Sequence, residues 1–411
     1  MKGWNRTRPT RTRAKRMWAV VLIAALAGVA WWAMGRTISK RTSPPPAPEP
    51  AAMASGPLAV SHPKVAVFLP LSGTFQDEGN SLRMGMELAW EELGMKALGA
   101  EMAVFDSHVE GGRLEDAVET LLEDPEVVLL ALHVSSKELS EVLPLIETHG
   151  VPTVIPANSH ENLARHPWLF PLIPSDRREG AAAARYAAKW RRNGPVTVLW
   201  DSGAYGRILL EGFQEEAGVL GLAHEVLECP PDDSAMKSAV QTVVESGASV
   251  VWLAGEPVWG ATVLDALAAA SFSGRVLAPH SYALEFQEDL FGANRQQLHV
   301  LRPFWAEDAE GGTLKGFKEA FRGRFWKEPD GLAMLGYDAI HWIGLNLAET
   351  PVSRRDLRDR LMSWAGPEKG YRGLCGSFCF GPNGEVDREF RVTVFRGGRW
   401  VSADDAEKVR P

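Results

Sequence analysis

The chain has 411 residues and a net charge of −8 at pH 7. Its charge is unevenly distributed: residues 1–43 hold ten of the 44 lysines and arginines and no acid, which leaves a charge of −18 on the remainder. An acidic body argues against nucleic acid as a partner. About 350 residues follow residue 63, too many for a single hydrophobic core, and this length favours two lobes.

The N-terminal region has the pattern of a membrane anchor. Seven basic residues precede an uncharged run at 17–35, MWAVVLIAALAGVAWWAMG, which is long enough to cross a bilayer core. Because lysine and arginine are retained on the cytoplasmic side, we predict a cytoplasmic tail at 1–16 and a single-pass helix at 17–35 in the inner membrane. A cleaved signal peptide is the alternative, since Ala25-Leu26-Ala27 has the A-x-A form of a cleavage site. Both interpretations export the rest of the chain to the periplasm or the cell exterior.

A proline-rich segment follows the apolar run. Residues 44–50 read PPPAPEP and show no apolar periodicity. Proline removes backbone donors and favours an extended, semi-rigid chain. We therefore predict that residues 36–63 are a linker that holds a folded domain away from the membrane.

Strands and helices then alternate. Short continuous apolar runs predict buried strands, and runs with one apolar face predict helices. Such alternation is typical of a parallel sheet covered on both faces. The first series has predicted strands at 64–70, 102–105, 127–132 and 151–155 and helices at 80–92, 114–122 and 137–148.

A second series of similar size begins after Pro174. Its predicted helices lie at 178–191, 206–217, 234–246 and 257–271, and its strands at 196–200, 225–227, 249–253 and 275–278. Two further helices at 314–325 and 332–347 precede a hairpin around Pro382-Asn383-Gly384. The fold class is therefore α/β, with two doubly wound parallel-sheet lobes preceded by one transmembrane helix.

Signatures of catalysis and of nucleotide binding are missing from the sequence. There is no G-x-S-x-G motif, and neither lobe has GxGxxG or GxxxxGK[ST] after its first strand. We predict no catalytic residue, no metal and no cofactor, with an exported hydrolase that uses His133 or His280 as a rival. Cys375 and Cys379 can pair only if a turn separates them, because a straight strand would place them about 13 Å apart.

Small polar residues recur just past the predicted strand ends. In open α/β sheets, ligands bind outside the carboxyl ends of the strands. Serine and asparagine at such positions also cap helices, which is the alternative for each of them taken singly. The candidate ligand-binding residues are Ser72, Ser135, Ser136, Asn158, Ser159, Tyr205, Glu256, His280 and Ser281.

Several segments resemble the extracytoplasmic solute-binding proteins of branched-chain amino acid ABC transporters. They are residues 67–73, 85–89, 134–136, 151–159, 200–213, 336–339 and 376–384. The resemblance implies a type I periplasmic binding fold, in which three crossovers join two lobes around a closing cleft. We expect the crossovers near 173–177, 300–304 and 371–378. The implied first lobe is 64–175 with 302–370, the second is 176–301 with 371–401, and a tail follows at 402–411.

The resemblance also implies roles for individual residues. Ser135 and Ser159 are similar to residues that hold a ligand carboxylate, and Tyr205 to one that covers the ligand. His280 stands where relatives that bind amino acids have the acid that holds the ligand amine. We therefore expect ligands without a primary amine, such as carboxylates or amides, to bind better than leucine, isoleucine or valine.

The function implied is a membrane-tethered binding protein for a small polar ligand: an amino acid, a carboxylate or an amide. It would serve ABC-type uptake, with an ABC permease as a candidate partner. The alternative is a non-transport sensor or scaffold that uses the same fold for protein–protein interaction.

Overall fold

A computed structural model describes residues 59–108, 112–159, 166–191, 194–283, 285–304, 313–348, 351–381 and 384–404. All of them belong to one compact unit, residues 57–411. The predicted cytoplasmic tail, the transmembrane helix and the linker up to residue 58 lie outside the described residues. Within the described ranges, no helix combines the length and the apolar character needed to cross a membrane.

Strands and helices alternate along most of the chain. The strands are β1 Lys64–Leu69, β2 Glu101–Asp106, β3 Val127–Leu132, β4 Thr153–Ile155, β5 Leu169–Pro171, β6 Val196–Trp200, β7 His224–Glu228, β8 Val250–Ala254, β9 Arg275–Ala278, β10 Leu298–Arg302, β11 Tyr371–Gly373, β12 Gly376–Phe380, β13 Val386–Asp387, β14 Arg391–Arg396 and β15 Arg399–Ser402. The α-helices are α1 Gln76–Glu92, α2 Leu114–Leu122, α3 Ser136–His149, α4 Asp176–Trp190, α5 Ala204–Leu220, α6 Asp233–Glu245, α7 Pro257–Ala269, α8 Thr313–Phe325, α9 Gly331–Leu347 and α10 Arg354–Met362.

The first lobe is built on a five-stranded parallel sheet in the order β2-β1-β3-β4-β5. Helices cover both of its faces. On one face Val67 packs in a cluster with Met86 of α1 and Ile340 of α9. On the other face Phe68 packs with Val118 of α2. Burial on both faces explains why β1 is a continuous apolar run.

The second lobe contains a seven-stranded sheet in the order β15-β14-β10-β9-β8-β6-β7. Strands β6 to β10 run parallel, and β14 and β15 are added antiparallel at one edge. Helices α4 and α5 pack on one face through Phe213 and its neighbours, and α6 and α7 pack on the other through Val263. The predicted α/β class with two doubly wound lobes is thus confirmed.

Glycines allow one close helix pair in each lobe. A Cβ atom at Gly85 of α1 would overlap the backbone carbonyl of Ala333 in α9. A Cβ atom at Gly180 of α4 would overlap the carbonyl of Leu209 in α5 in the same way. Because only glycine lets these backbones approach so closely, part of the sequence resemblance reflects helix packing rather than ligand binding.

The segment 371–387 requires a correction. We assigned it to the second lobe, but its strands β11, β12 and β13 form a separate antiparallel sheet. The buried rings of Phe378 and Phe380 pack against Trp342 of α9, with ring centroids 5.5 and 5.7 Å apart. The segment therefore packs on the first lobe, and the chain enters the second sheet only at β14. This moves the third crossover from 371–378 to 388–390.

The three cysteines form no disulfide. Cys229, Cys375 and Cys379 are all buried and free. Cys379 lies inside β12, and Cys375 immediately precedes that strand. The extended backbone between them holds the two sulfur atoms apart, so the turn that pairing would need is not formed.

Candidate functional site

Two acidic side chains lie at the start of α4, directly after the first crossover. Ser175 caps this helix by accepting the backbone N–H of Arg178. Asp176 and Glu179 follow, three residues apart on one face of the helix, and they are only 6% and 1% exposed. The backbone N–H of Asp176 donates to the carbonyl of Ser159 over 3.0 Å, which joins α4 to the loop after β4. Carboxylates so deeply buried need partners.

Glu179 finds its partner in His280, which follows β9. The His280 backbone N–H donates to Oε1 of Glu179 over 2.6 Å, and Nδ1 lies 2.8 Å from Oε2. Burial lowers the pKa of His280, but the Glu179 charge, this hydrogen bond and the Asp176 charge together outweigh it and raise the pKa. His280 and Glu179 are therefore a buried hydrogen-bonded pair, and the raised pKa favours the imidazolium form, whose Nε2–H is a second donor.

Asp176 is different, because one of its oxygens has no partner. Its Oδ1 is buried and accepts no hydrogen bond in the described part of the chain. Burial raises the pKa of the carboxyl to about 7, opposed by a hydrogen bond from the Ser159 side chain and reinforced by the Glu179 charge. A buried acceptor without a donor is unusual in a folded protein. Asp176 thus offers an acceptor that a bound molecule can satisfy.

Tyr205 and Ser281 lie beside this pair. The Tyr205 hydroxyl, on the first turn of α5, is 3.4 Å from the Ser281 hydroxyl. Burial raises the Tyr205 pKa well above its usual value, and the charges of Glu179 and Asp176 raise it further. The structure therefore brings four predicted residues into one cluster with the two acids of α4. The predicted members are Ser159, Tyr205, His280 and Ser281.

Glu256 stands at the edge of this cluster. It is the residue before α7, and its backbone N–H donates to Asp201 Oδ2 over 2.9 Å. Tyr282 fixes the same loop, because its hydroxyl donates to the Gly255 carbonyl over 3.1 Å. Burial and the Asp201 charge raise the Glu256 pKa. Its charge also acts on Asp176, so three acids and one histidine share this region.

The remaining predicted residues lie in the first-lobe loops and have structural contacts. Ser135 caps α3: its hydroxyl accepts the Glu138 N–H, and its own N–H donates to the Glu138 carboxylate over 2.8 Å. Ser136 is the first residue of α3. Asn158 donates to the Val134 carbonyl, which ties the loops after β3 and β4 together. Ser72 hydrogen-bonds the Asp106 carboxylate at the end of β2.

His133, named with His280 in the hydrolase hypothesis, pairs with an acid. Its Nε2 lies 3.3 Å from the Glu78 carboxylate, as His280 lies near Glu179. In the ranges that the structure describes, no histidine ring hydrogen-bonds a serine, threonine or cysteine side chain. The histidines of this region therefore serve as partners of carboxylates in the described contacts.

Sequence reasoning missed Asp176 and Glu179. The predicted helix at 178–191 contains Glu179, and Asp176 falls in the expected crossover at 173–177; acids near a helix start are ordinarily explained by the helix dipole. The spacing of three residues directly after the Ile173-Pro174 crossover was the available signal. Only the contact with His280, 101 positions later, distinguishes a site from an ordinary helix start.

Comparison with solved structures gives the fold. A putative branched-chain amino acid ABC transporter protein from Rhodospirillum rubrum superposes with a TM-score of 0.70 at 20% identity, covering 83% of this chain and 99% of that one. The leucine-binding protein LivK of Thermotoga maritima gives 0.66 at 20% identity over 84% and 99%. A solute-binding protein of R. palustris in complex with benzoate gives 0.64 at 18% identity over 83% and 95%.

Sequence comparison identifies the family. No curated protein sequence matches the chain significantly. The profile of the family described as periplasmic binding protein matches residues 63–399, which include strands β1 to β14. The resemblance noted from the sequence is thereby confirmed, and the chain belongs to the periplasmic binding protein family.

Proposed function

We propose that this protein is a membrane-tethered, extracytoplasmic receptor that captures a small polar ligand between its two lobes for ABC-type uptake. The observation that carries the proposal is the buried Asp176 carboxylate, whose Oδ1 has no partner in the described residues. It lies among polar groups that follow strands of both lobes, Ser159 from the first and His280 from the second. The proposal assigns the protein no catalytic step.

The charges of the cluster favour a ligand with an N–H group. The Glu179 charge is compensated by His280, whereas Asp176 keeps an acceptor that needs a donor. Our expectation from the sequence, that ligands without a primary amine bind better, was based on a histidine at position 280 where relatives that bind amino acids have an acid. The acids of α4 supply the negative charge that the sequence lacked at position 280. We therefore propose an amine or an amide, oriented by Asp176.

Relatives illustrate both possibilities. A Streptococcus pneumoniae relative is described in complex with isoleucine, and the R. palustris protein with benzoate. Isoleucine carries an ammonium group that can donate a hydrogen bond to Asp176, whereas benzoate has no hydrogen-bond donor. The unpartnered acceptor in this chain supports the first kind of ligand.

A thermal-shift panel tests the ligand class. Matched compounds on one carbon skeleton, valine, isovaleramide and isovalerate, are compared at pH 7.5, with the same series on an aromatic skeleton. We expect N–H-bearing members to raise the melting temperature of the wild type and to lose this effect in Asp176→Asn. Asp233→Asn, at the first position of α6 and exposed, is the matched control. Stabilisation by carboxylates alone, unchanged in Asp176→Asn, would refute the proposed ligand class.

The membrane tether is proposed from the uncharged run at 17–35 and the basic residues before it. A C-terminal alkaline phosphatase fusion is expected to be active and to stay in the membrane fraction after an alkaline wash. A C-terminal fluorescent protein that folds only in the cytoplasm is expected to be dark. Mature protein whose sequence begins near Gly28 would overturn the tether and leave a released, exported receptor.

A further inference from the structure

A second pocket lies where the two lobes are joined, on a different face of α4 from Asp176 and Glu179. We call it the crossover pocket; its volume is about 640 Å³. Helix α4 forms one wall, the segment 367–379 that packs on the first lobe forms another, and the third crossover at 387–390 lies between them. The Tyr186 hydroxyl donates to the Phe390 carbonyl over 2.9 Å, which fixes α4 to this crossover.

The lining of the crossover pocket is cationic. Five basic side chains face two acids, in a protein whose exported part is acidic overall. A pocket of this kind concentrates anions although the net charge repels them. The basic residues are Arg178, Arg185, Lys189, Arg372 and Arg388, and the acids are Asp387 and Glu389.

Three of these cations are already paired. Arg178 contacts Asp387 at 3.0 Å and Glu385 at 3.7 Å. Arg185 contacts Glu216 at 3.1 Å, and Lys189 contacts Asp404 at 3.8 Å. Their positive charge is therefore largely compensated within the protein.

Arg388 and Arg372 are not compensated in this way. Arg388 is 5% exposed, and although Nη1 donates to the Leu172 carbonyl over 3.1 Å, its Nε and Nη2 have no partner in the described part of the chain. The charge of the buried Asp338 acts on Arg388, but the Asp338 carboxylate accepts the backbone N–H groups of Leu374 and Cys375 at 2.8 Å and makes no direct contact with the guanidinium. Burying a guanidinium whose Nε and Nη2 atoms have no acceptor costs free energy unless a bound anion accepts their hydrogen bonds.

The remaining lining indicates the size and character of the anion. Arg372 is exposed and pairs with no carboxylate among the described residues. Ser377 adds a hydroxyl, and Tyr186, Phe378 and Phe390 supply an apolar wall. Pockets of a few hundred Å³ with aromatic walls and a few fixed polar groups suit small molecules.

We propose that the crossover pocket binds a small organic dianion, a phosphate monoester or a dicarboxylate, held by Arg388 and Arg372. Guanidinium groups bind both kinds of oxyanion through paired hydrogen bonds. Two cations without a direct ion pair among the described residues match two negative charges. Because the walls come from both lobes, a bound anion would contact both of them and would also affect the hinge motion of the lobes about the crossovers.

Calorimetry at pH 7.5 in low-salt buffer tests the proposal independently of the cleft ligand. The probes are phenyl phosphate and succinate, with benzenesulfonate as the monoanion of the same shape as phenyl phosphate. We expect at least one dianion to bind with a submillimolar dissociation constant and benzenesulfonate to bind at least tenfold more weakly than that dianion. Arg372→Gln should weaken dianion binding at least tenfold, and it leaves the fold intact because Arg372 is exposed and has no ion pair among the described residues.

Lys137→Gln, an exposed lysine of α3 outside the pocket, removes one charge elsewhere and should bind as the wild type does. Three results would overturn the proposal. They are no saturable binding of either dianion, equal affinity of Arg372→Gln and the wild type, and equal affinity for benzenesulfonate and the tighter-binding dianion. An equal loss in Lys137→Gln and Arg372→Gln would show a general charge effect and would likewise overturn it.

Discussion

The Asp176 carboxyl should destabilise the unliganded protein as the pH rises. Its pKa is about 7 in the folded protein and 3.8 when unperturbed, because burial disfavours the charged form. Between these values the folded state holds a proton that the unfolded state has lost, so stability falls as the pH rises. At about 1.36 kcal/mol per pKa unit, the full loss is about 4 kcal/mol above pH 7.

Replacing Asp176 with asparagine removes this loss. Asparagine is similar in shape, stays neutral and still accepts the Ser159 hydrogen bond. Relative to the wild type, the free energy of unfolding of Asp176→Asn should increase by about 2.5 kcal/mol between pH 5 and pH 8. The Asp176 charge also supports protonation of His280, which opposes part of this gain, so at least about 1 kcal/mol is expected.

Urea unfolding of ligand-free protein at pH 5, 6, 7 and 8 measures the difference. Asp338, whose pKa is raised to about 6 by burial, titrates alike in both proteins and cancels. Asp233→Asn, at the first position of α6 and exposed, is the control and should show no pH-dependent difference. Parallel pH profiles for wild type and Asp176→Asn would refute the burial of an unpaired carboxyl at this position.

Three further substitutions test the site and the packing. Ser159→Ala should weaken binding of the best compound in the thermal-shift panel roughly ten- to a hundredfold, because the hydrogen bond from Ser159 to the ligand-orienting Asp176 carboxylate is lost. An unchanged dissociation constant measured by calorimetry would limit Ser159 to a loop contact. Trp342→Ala should cost about 3–5 kcal/mol in urea unfolding, since its buried ring contacts Phe378, and a loss below about 1 kcal/mol would contradict that packing. Gly85→Ala should lower the melting temperature, because its Cβ would overlap α9. Gly218→Ala, in open space on α5, is the control and should leave the melting temperature unchanged or raise it. Equal effects of the two substitutions would contradict the close contact between α1 and α9.

Secondary structure was largely predictable because its signals are local. The predicted strand at 275–278 matches β9, and the predicted helix at 332–347 begins one residue after α9 does. Short elements were missed: β5 and β11 have three residues each, too few for any periodicity to show. The lobe to which β12 belongs depends on Trp342, more than thirty positions away, and no local pattern carries that information.

The candidate site was predictable only where its residues follow strands. Tyr205, His280 and Ser281 were found because a parallel sheet brings its carboxyl strand ends to one edge. Asp176 and Glu179 follow no strand directly and resemble acids that stabilise a helix start. Their burial, and the pairing of Glu179 with His280, arise from tertiary contacts that a sequence pattern does not encode.

The membrane anchor is predicted from sequence alone. It rests on residues 1–35, which lie outside the described part of the chain, and it stays a prediction. The lobe boundaries other than the corrected third crossover likewise stay proposals drawn from the resemblance.

Native mass spectrometry tests the central claim most directly. Wild-type protein and the double variant Ser159→Ala, Asp176→Ala are purified side by side from the same host without denaturation. The account predicts that the wild type carries one small non-protein molecule per chain, released on collisional activation, and that the variant does not. Both proteins at the bare chain mass, or the same molecule on both, would contradict a ligand site built on Ser159 and Asp176.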